Sequence, residues 1–191
     1  MTTALLVIDV QESFRQQPQW DRISNPGIAA DVARLVEHAR AAGEPVLWVL
    51  HAEPGSGGAF DPESGAVRLI DGLEPAADEP VLVKRVHNAF TTTDLEEQLE
   101  RRDVRAVRLA GIRTEQCVET TARLASDLGY RVEVVLDATA THPLALHDGS
   151  GELTADEVIT RTAAALSGRF ATITTIAEVL STEPAAVPGF A

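Results

Sequence analysis

Six stretches of this chain are apolar almost without interruption: residues 4–10, 45–51, 81–86, 104–110, 132–138 and 171–174. A strand with one wet face alternates apolar and polar residues, whereas a strand covered on both faces does not. Most of these runs therefore predict strands of a parallel sheet buried between two layers. Helical patterns separate them. Asn25 and Pro26 read as an N-cap and first-turn pair, after which Ile28, Val32, Leu35, Val36 and Ala39 share one face and Gly43 closes the helix. Residues 93–96 and 154–157 have the spacing of capping boxes, each ahead of an apolar stripe. A last helix is expected at about 175–180. Strands alternating with helices predict a three-layer α/β/α domain.

The 191 residues suit one domain, expected over 1–181 with a Pro-containing tail at 182–191, and 45% hydrophobic residues are enough to fill its core. A formal net charge of −13 disfavours nucleic acid and anionic membrane surfaces as partners. The single cysteine cannot make an internal disulfide, which fits a reducing compartment. The start, MTTALLVIDV, has no basic stretch and too short an apolar run for a signal peptide. No run approaches the roughly 20 apolar residues of a membrane span. A soluble cytoplasmic protein acting on a small molecule is the expectation. The irregular loop HAEPGSGGAFDPESG lacks the Gly-Lys-Ser/Thr ending of a phosphate loop, and no G-x-G-x-x-G follows the first strand. Nothing supports nucleotide binding. That loop is either a lid over a pocket or an ordinary surface loop.

Three chemistry-bearing residues share one address. Asp9 ends the first strand, Lys84 lies near the end of the third, and Cys117 stands where the fourth hands over to a helix. Clefts in doubly wound sheets open at these strand ends, so the three can converge. Lys84 is also the only lysine among 16 basic residues, the rest being arginine. An ammonium is compact and can change its pKa on burial, which a guanidinium cannot usefully do, so the exception marks a position where arginine would fail. Thr114 is a potential N-cap that puts Cys117 in the first helical turn, where free amides and the helix dipole favour thiolate. Taken singly, each has a plain structural reading: a loop cap, a solvated cation, a small buried hydrophobe. Together, an acid, an ammonium and a thiol can make an activated nucleophile.

The segments LLVIDVQESF, VKRVHNAFTTTDLEEQL, LAGIRTEQCVETTARLASDLGYRVEVVLDA and FATITTIAEVL lie in the order found in the isochorismatase-like cysteine hydrolases, which the chain resembles over nearly its whole length. That superfamily includes nicotinamidases and N-carbamoylsarcosine amidohydrolase. The resemblance implies a six-stranded parallel sheet of order 3-2-1-4-5-6 and a triad at Asp9, Lys84 and Cys117. It implies acyl transfer at an amide or carbamoyl C–N bond through a thioester on Cys117. It also implies a non-proline cis peptide at Ile112–Arg113, with the amides of Arg113 and Cys117 serving the oxyanion, and a homo-oligomer, dimer or larger.

Departures from the family pattern narrow the reading. Nicotinamidases hold a metal through Asp-x-His and a further His. Here the stretch reads Val49-Leu50-His51 with no histidine in the next loop, so no metal or other cofactor is expected. Relatives that cleave vinyl ethers often lack the cysteine, whose presence favours C–N cleavage. Vinyl-ether hydrolysis and a catalytically silent, redox-sensing scaffold are the alternatives. Candidates for the substrate pocket are Phe14, Trp20, His51, Phe60, His87, Asn88 and Phe90, with Gln11 in a supporting role. Phe90 also reads as core, and His142 and His147 as loop residues. The net acidity disfavours strongly anionic substrates unless Arg85 or Arg113 reverses the local field.

Overall fold

The structure, a computed structural model, describes residues 2–181; the expected tail at 182–191 lies outside the described residues. In chain order the elements are β1 (Thr2–Ile8), α1 (Glu12–Arg15), α2 (Ile28–Ala41), β2 (Val46–His51), β3 (Val81–Lys84), α3 (Leu95–Glu100) and β4 (Val104–Ile112). They continue with α4 (Glu119–Asp127), β5 (Arg131–Ala140), β6 (Leu144–Ala145), β7 (Glu152–Leu153), α5 (Ala155–Leu166), β8 (Thr172–Thr174) and α6 (Ile176–Ser181). Six strands form one sheet in the order β3-β2-β1-β4-β5-β8, every neighbouring pair parallel. Since β8 is the sixth strand of that sheet, this is the expected 3-2-1-4-5-6 order. The short β6 and β7 pair only with each other.

The continuous apolar runs are explained by what covers them. Leu6 and Ile8 of β1 point into a core shared with Leu95 and Leu99 of α3, Ala122 and Ala125 of α4, and Leu166 of α5. Leu5 and Val7, one residue out of phase, meet Ile28, Val32 and Leu35 of α2 and Ile176 and Val179 of α6. Both faces of the strand are dry, so alternation is lost. Each such aliphatic side chain contributes about 1.5–3 kcal/mol of burial free energy at most.

Helix starts follow the sequence in part. Thr154 and Glu157 form the full capping box, with Glu157 N–H donating to Thr154 Oγ1 at 3.2 Å and Thr154 N–H to Glu157 Oε2 at 2.7 Å. A reciprocal pair not read from the sequence, Thr175 and Glu178, opens α6 in the same way. The box expected at Thr93 does not form. Thr93 Oγ1 accepts from Leu95 N–H but donates to the Ala89 carbonyl, and α3 begins after Asp94. Asn25 does not cap α2, which is entered through Gly27; its amide instead donates to Asp31 Oδ2 and the Asp137 carbonyl, tying the helix start to β5.

Strand ends decide where the site lies. β1 stops one residue before Asp9, which adopts φ +53°, a left-handed conformation that aspartate tolerates better than most residues. β4 runs two residues past its expected end, through Gly111 at φ +136°. Gly111 pairs with Ile8, and a Cβ built on it would stand 1.9 Å from the Ile8 carbonyl oxygen. Only glycine lets the two backbones meet there, directly beneath Asp9. Gly111→Ala is therefore expected to cost about 2–3 kcal/mol, a fall of roughly 5–10 °C in melting temperature. A melting curve matching the parent would contradict this reading of the β1–β4 contact.

Candidate active site

At the carboxyl edge of the sheet, β3, β2, β1 and β4 deliver Lys84, His51, Asp9 and the approach to Cys117 side by side. Lys84 is paired in register with His51, so its side chain must cross the end of β2 to reach Asp9. It does so wholly buried. Its Nζ lies 2.7 Å from Asp9 Oδ2, 3.4 Å from Cys117 Sγ and 3.4 Å from His51 Nδ1. An ammonium has three N–H donors, and here each has one partner. A guanidinium would bring five donors in a planar fork and leave several buried without acceptors. The lone lysine of the sequence is explained by that geometry.

The donation to Nδ1 assigns the His51 tautomer: the ring hydrogen sits on Nε2, which faces Glu53 Oε1 at 3.2 Å. The backbone of His51 is held as firmly. Gln11, fully buried, accepts from His51 N–H at 2.7 Å and donates to its carbonyl at 3.0 Å, with Ser13 Oγ as a further acceptor. Gln11 thus clamps β2 to the segment after β1 and does not line the cavity. With both ring nitrogens of His51 engaged and Val49 where nicotinamidases have aspartate, these residues do not fit a metal. Among the described residues, no three His, Cys, Asp or Glu side chains gather into a ligand group.

Cys117 is reached through a feature the sequence does not announce. The Ile112–Arg113 peptide is cis, as the resemblance implies, and the chain then makes a single π-type turn over Thr114–Val118 before α4. Thr114 does not cap: its hydroxyl is buried and donates to Thr139 Oγ1 at 2.8 Å. The expectation of a dipole-stabilised thiolate is overturned as well. Burial, reinforced by the neighbouring Asp9 carboxylate, pushes the Cys117 thiol up to about 12, and the attraction of Lys84 only partly opposes this. Burial also raises Asp9 above the ordinary carboxylate range, against the lowering pull of Lys84. The resting site thus holds a protonated thiol beside a carboxylate made more basic by its surroundings.

The thiol and Asp9 face a cavity of about 270 Å³. Phe14 and Phe60 form one wall, edge to face with centroids 5.0 Å apart, and Phe60 meets the His51 ring at 5.7 Å. Trp20 and Ile23 extend the apolar surface, and Gln17, Gln19 and Gln116 supply neutral polar groups. Phe14, Trp20, His51, Phe60, His87 and Arg113 thus stand where expected. Asn88 and Phe90 do not. Asn88 Oδ1 accepts from the amides of Phe90 and Thr91 in a local turn, while Phe90 is buried in the core and stacked on Tyr130. His142, read from the sequence as a loop residue, does line the cavity. Glu53 and the three glutamines were missed. Only Gln116, beside Cys117, carried a signal, that of adjacency.

The irregular loop after β2 belongs to the wall. Asp61 accepts from the amides of Gly57 and Glu63, which hold its carboxyl below the usual range, and Glu53 N–H donates to the Phe60 carbonyl. These bonds pin Glu53 and Phe60 at the cavity.

The Isochorismatase domain family model matches residues 3–178. The chain belongs to the isochorismatase family. It is 36% identical over 177 residues to the uncharacterized isochorismatase family protein YddQ of Bacillus subtilis (strain 168), covering 92% of this chain and 97% of that protein. It is 33% identical to Nicotinamidase 3 of Arabidopsis thaliana, with 77% of each chain covered. Among solved structures, a putative hydrolase of the isochorismatase family from Chromobacterium violaceum superposes with a TM-score of 0.87 at 28% identity, covering 94% of this chain and 92% of that one. This isochorismatase-family hydrolase has, among its described residues, no helix long and apolar enough to cross a membrane.

A thiol held up at about 12 alkylates slowly near neutrality. Iodoacetamide labelling of the native protein should accelerate steadily with pH from about 7 to 10, with no plateau. A rate already level below about pH 8 would mean a resting thiolate and contradict the assignment.

Proposed function

We propose that this isochorismatase-family hydrolase is a metal-independent cysteine amidohydrolase of the cytoplasm that cleaves an amide or carbamoyl C–N bond of a small molecule. The observation that carries the reading is the contact of one buried ammonium with both a carboxylate and a thiol, at 2.7 and 3.4 Å, on the wall of a cavity. The name of Nicotinamidase 3 supports amide cleavage within the same family.

In this mechanism Asp9 takes the thiol proton as Cys117 Sγ attacks the substrate carbonyl carbon, forming a C–S bond and an oxyanion. The backbone amides of Arg113 and Cys117 donate to that oxyanion. Asp9 returns the proton to the leaving nitrogen as the C–N bond breaks, and an amine or ammonia departs. Water then attacks the thioester, with Asp9 accepting its proton. The C–S bond breaks, the sulfur is reprotonated from Asp9, and a carboxylic or carbamic acid leaves. Lys84 stays charged throughout and holds Asp9 and Cys117 in register.

Raising the proton affinity of Asp9 suits it to this exchange, since a base near its ordinary range would drive the transfer less strongly. The high thiol value fits the same scheme, because deprotonation is coupled to attack. The proposal includes the homo-oligomeric state implied by the family resemblance.

Intact-mass measurement on a panel of amides and carbamoyl compounds tests the reading. A covalent acyl adduct is expected on the parent protein, absent in Cys117→Ala, with turnover unaffected by exhaustive chelation. Reversible oxidation of Cys117 with neither adduct nor turnover would favour a redox-sensing scaffold. Vinyl-ether cleavage that survives Cys117→Ala would favour the other chemistry.

A further inference from the structure

The charges around the cavity do not balance. Asp9 and Lys84 neutralise each other at 2.7 Å. Arg113, which lines the cavity, is matched by Glu115 at 2.7 Å, both side chains largely buried, so its guanidinium is not free to receive an anion. Arg85 is exposed and is not part of the wall. That leaves Glu53. Its carboxylate lines the cavity with 55% of the side chain exposed, and its contact there is His51 Nε2 at 3.2 Å. Among the described residues, no lysine or arginine pairs with it.

The rest of the wall suits a positive group. Phe14, Phe60 and Trp20 present ring surface, and aromatic faces attract organic cations. The glutamines add acceptors without charge. The chain's net charge of −13 favours the approach of cations over that of anions. A cavity of about 270 Å³ suits a compact guest.

We propose that Glu53 is the specificity-determining residue of this site, selecting compact amides that carry a cationic substituent and rejecting those that carry a carboxylate. The inference rests on the amidohydrolase reading for the word amide alone; the charge preference follows from the wall itself. Both residues line the cavity, the Glu53 side chain 55% exposed and Cys117 buried, so a guest whose amide meets the thiol carries its cation on the solvent side.

Binding separates this inference from the chemistry. Benzamide, 4-(aminomethyl)benzamide and 4-carboxybenzamide are titrated calorimetrically into Cys117→Ala, or into Cys117→Ser should the alanine variant not fold. The buffer is held at pH 8, above the ordinary range of histidine. The aminomethyl compound is expected to bind most tightly and the carboxylate at least about tenfold more weakly than benzamide. In the Glu53→Gln background that order should collapse to within about threefold. Equal or tighter binding of the carboxylate, an order that survives Glu53→Gln, or no binding of any of the three overturns the proposal. If the order holds but the parent protein is acylated by no member of the amide and carbamoyl panel, the amidohydrolase reading fails while the charge selectivity stands.

Discussion

One buried ammonium organises this molecule's active edge. Removing an ion from water costs several kcal/mol even after relaxation, and burial is sustained only where the ion is paired and its hydrogen bonds are met. Lys84 meets both conditions through Asp9, Cys117 and His51. The dependence runs both ways. Without Lys84, Asp9 would be a buried carboxylate with no counter-charge, and the thiol would lose the group that opposes its burial. The sheet order makes the meeting possible. β2 lies between β3 and β1, and the lysine stem is long enough to pass over its end.

The surrounding structure fixes the partners of that ammonium. Asp9 leaves the sheet in a left-handed conformation above a contact that only Gly111 permits. His51 is held through its backbone by Gln11 and through its ring by Lys84 and Glu53. The thiol enters on a π-type turn that follows β4. Asp9 follows a strand buried on both faces, Lys84 ends the edge strand β3 with its side chain turned to the buried face, and Cys117 is held on the turn after β4. Such support is what holding reacting groups within a fraction of an ångström requires.

Much of this was legible in the sequence, and the reasons are specific. Residues 4–10 and 104–110 read as strands because both faces are dry, and their ends located Asp9 and Cys117. The single lysine drew attention because arginine bias made it an exception. Other features were not legible. Asn88 and Phe90 lie close to Lys84 in sequence, but after β3 the chain turns toward α4, where Ala89 N–H donates to Thr121 and Phe90 packs on Tyr130. His142 and Glu53 reach the cavity from irregular backbone, which has no period to betray direction. The state of the thiol was misread because helix position is visible in a sequence and depth of burial is not. Here burial outweighs the turn.

The central claim is that the shape of the ammonium, and not positive charge alone, holds acid and thiol together. Lys84→Arg keeps the charge and changes the shape. With the best amide substrate of the parent protein, kcat/KM of this variant should fall by about a hundredfold or more while its circular dichroism stays that of a folded protein. Near-parental turnover from folded Lys84→Arg would show that any cation serves at this position, and would contradict the account.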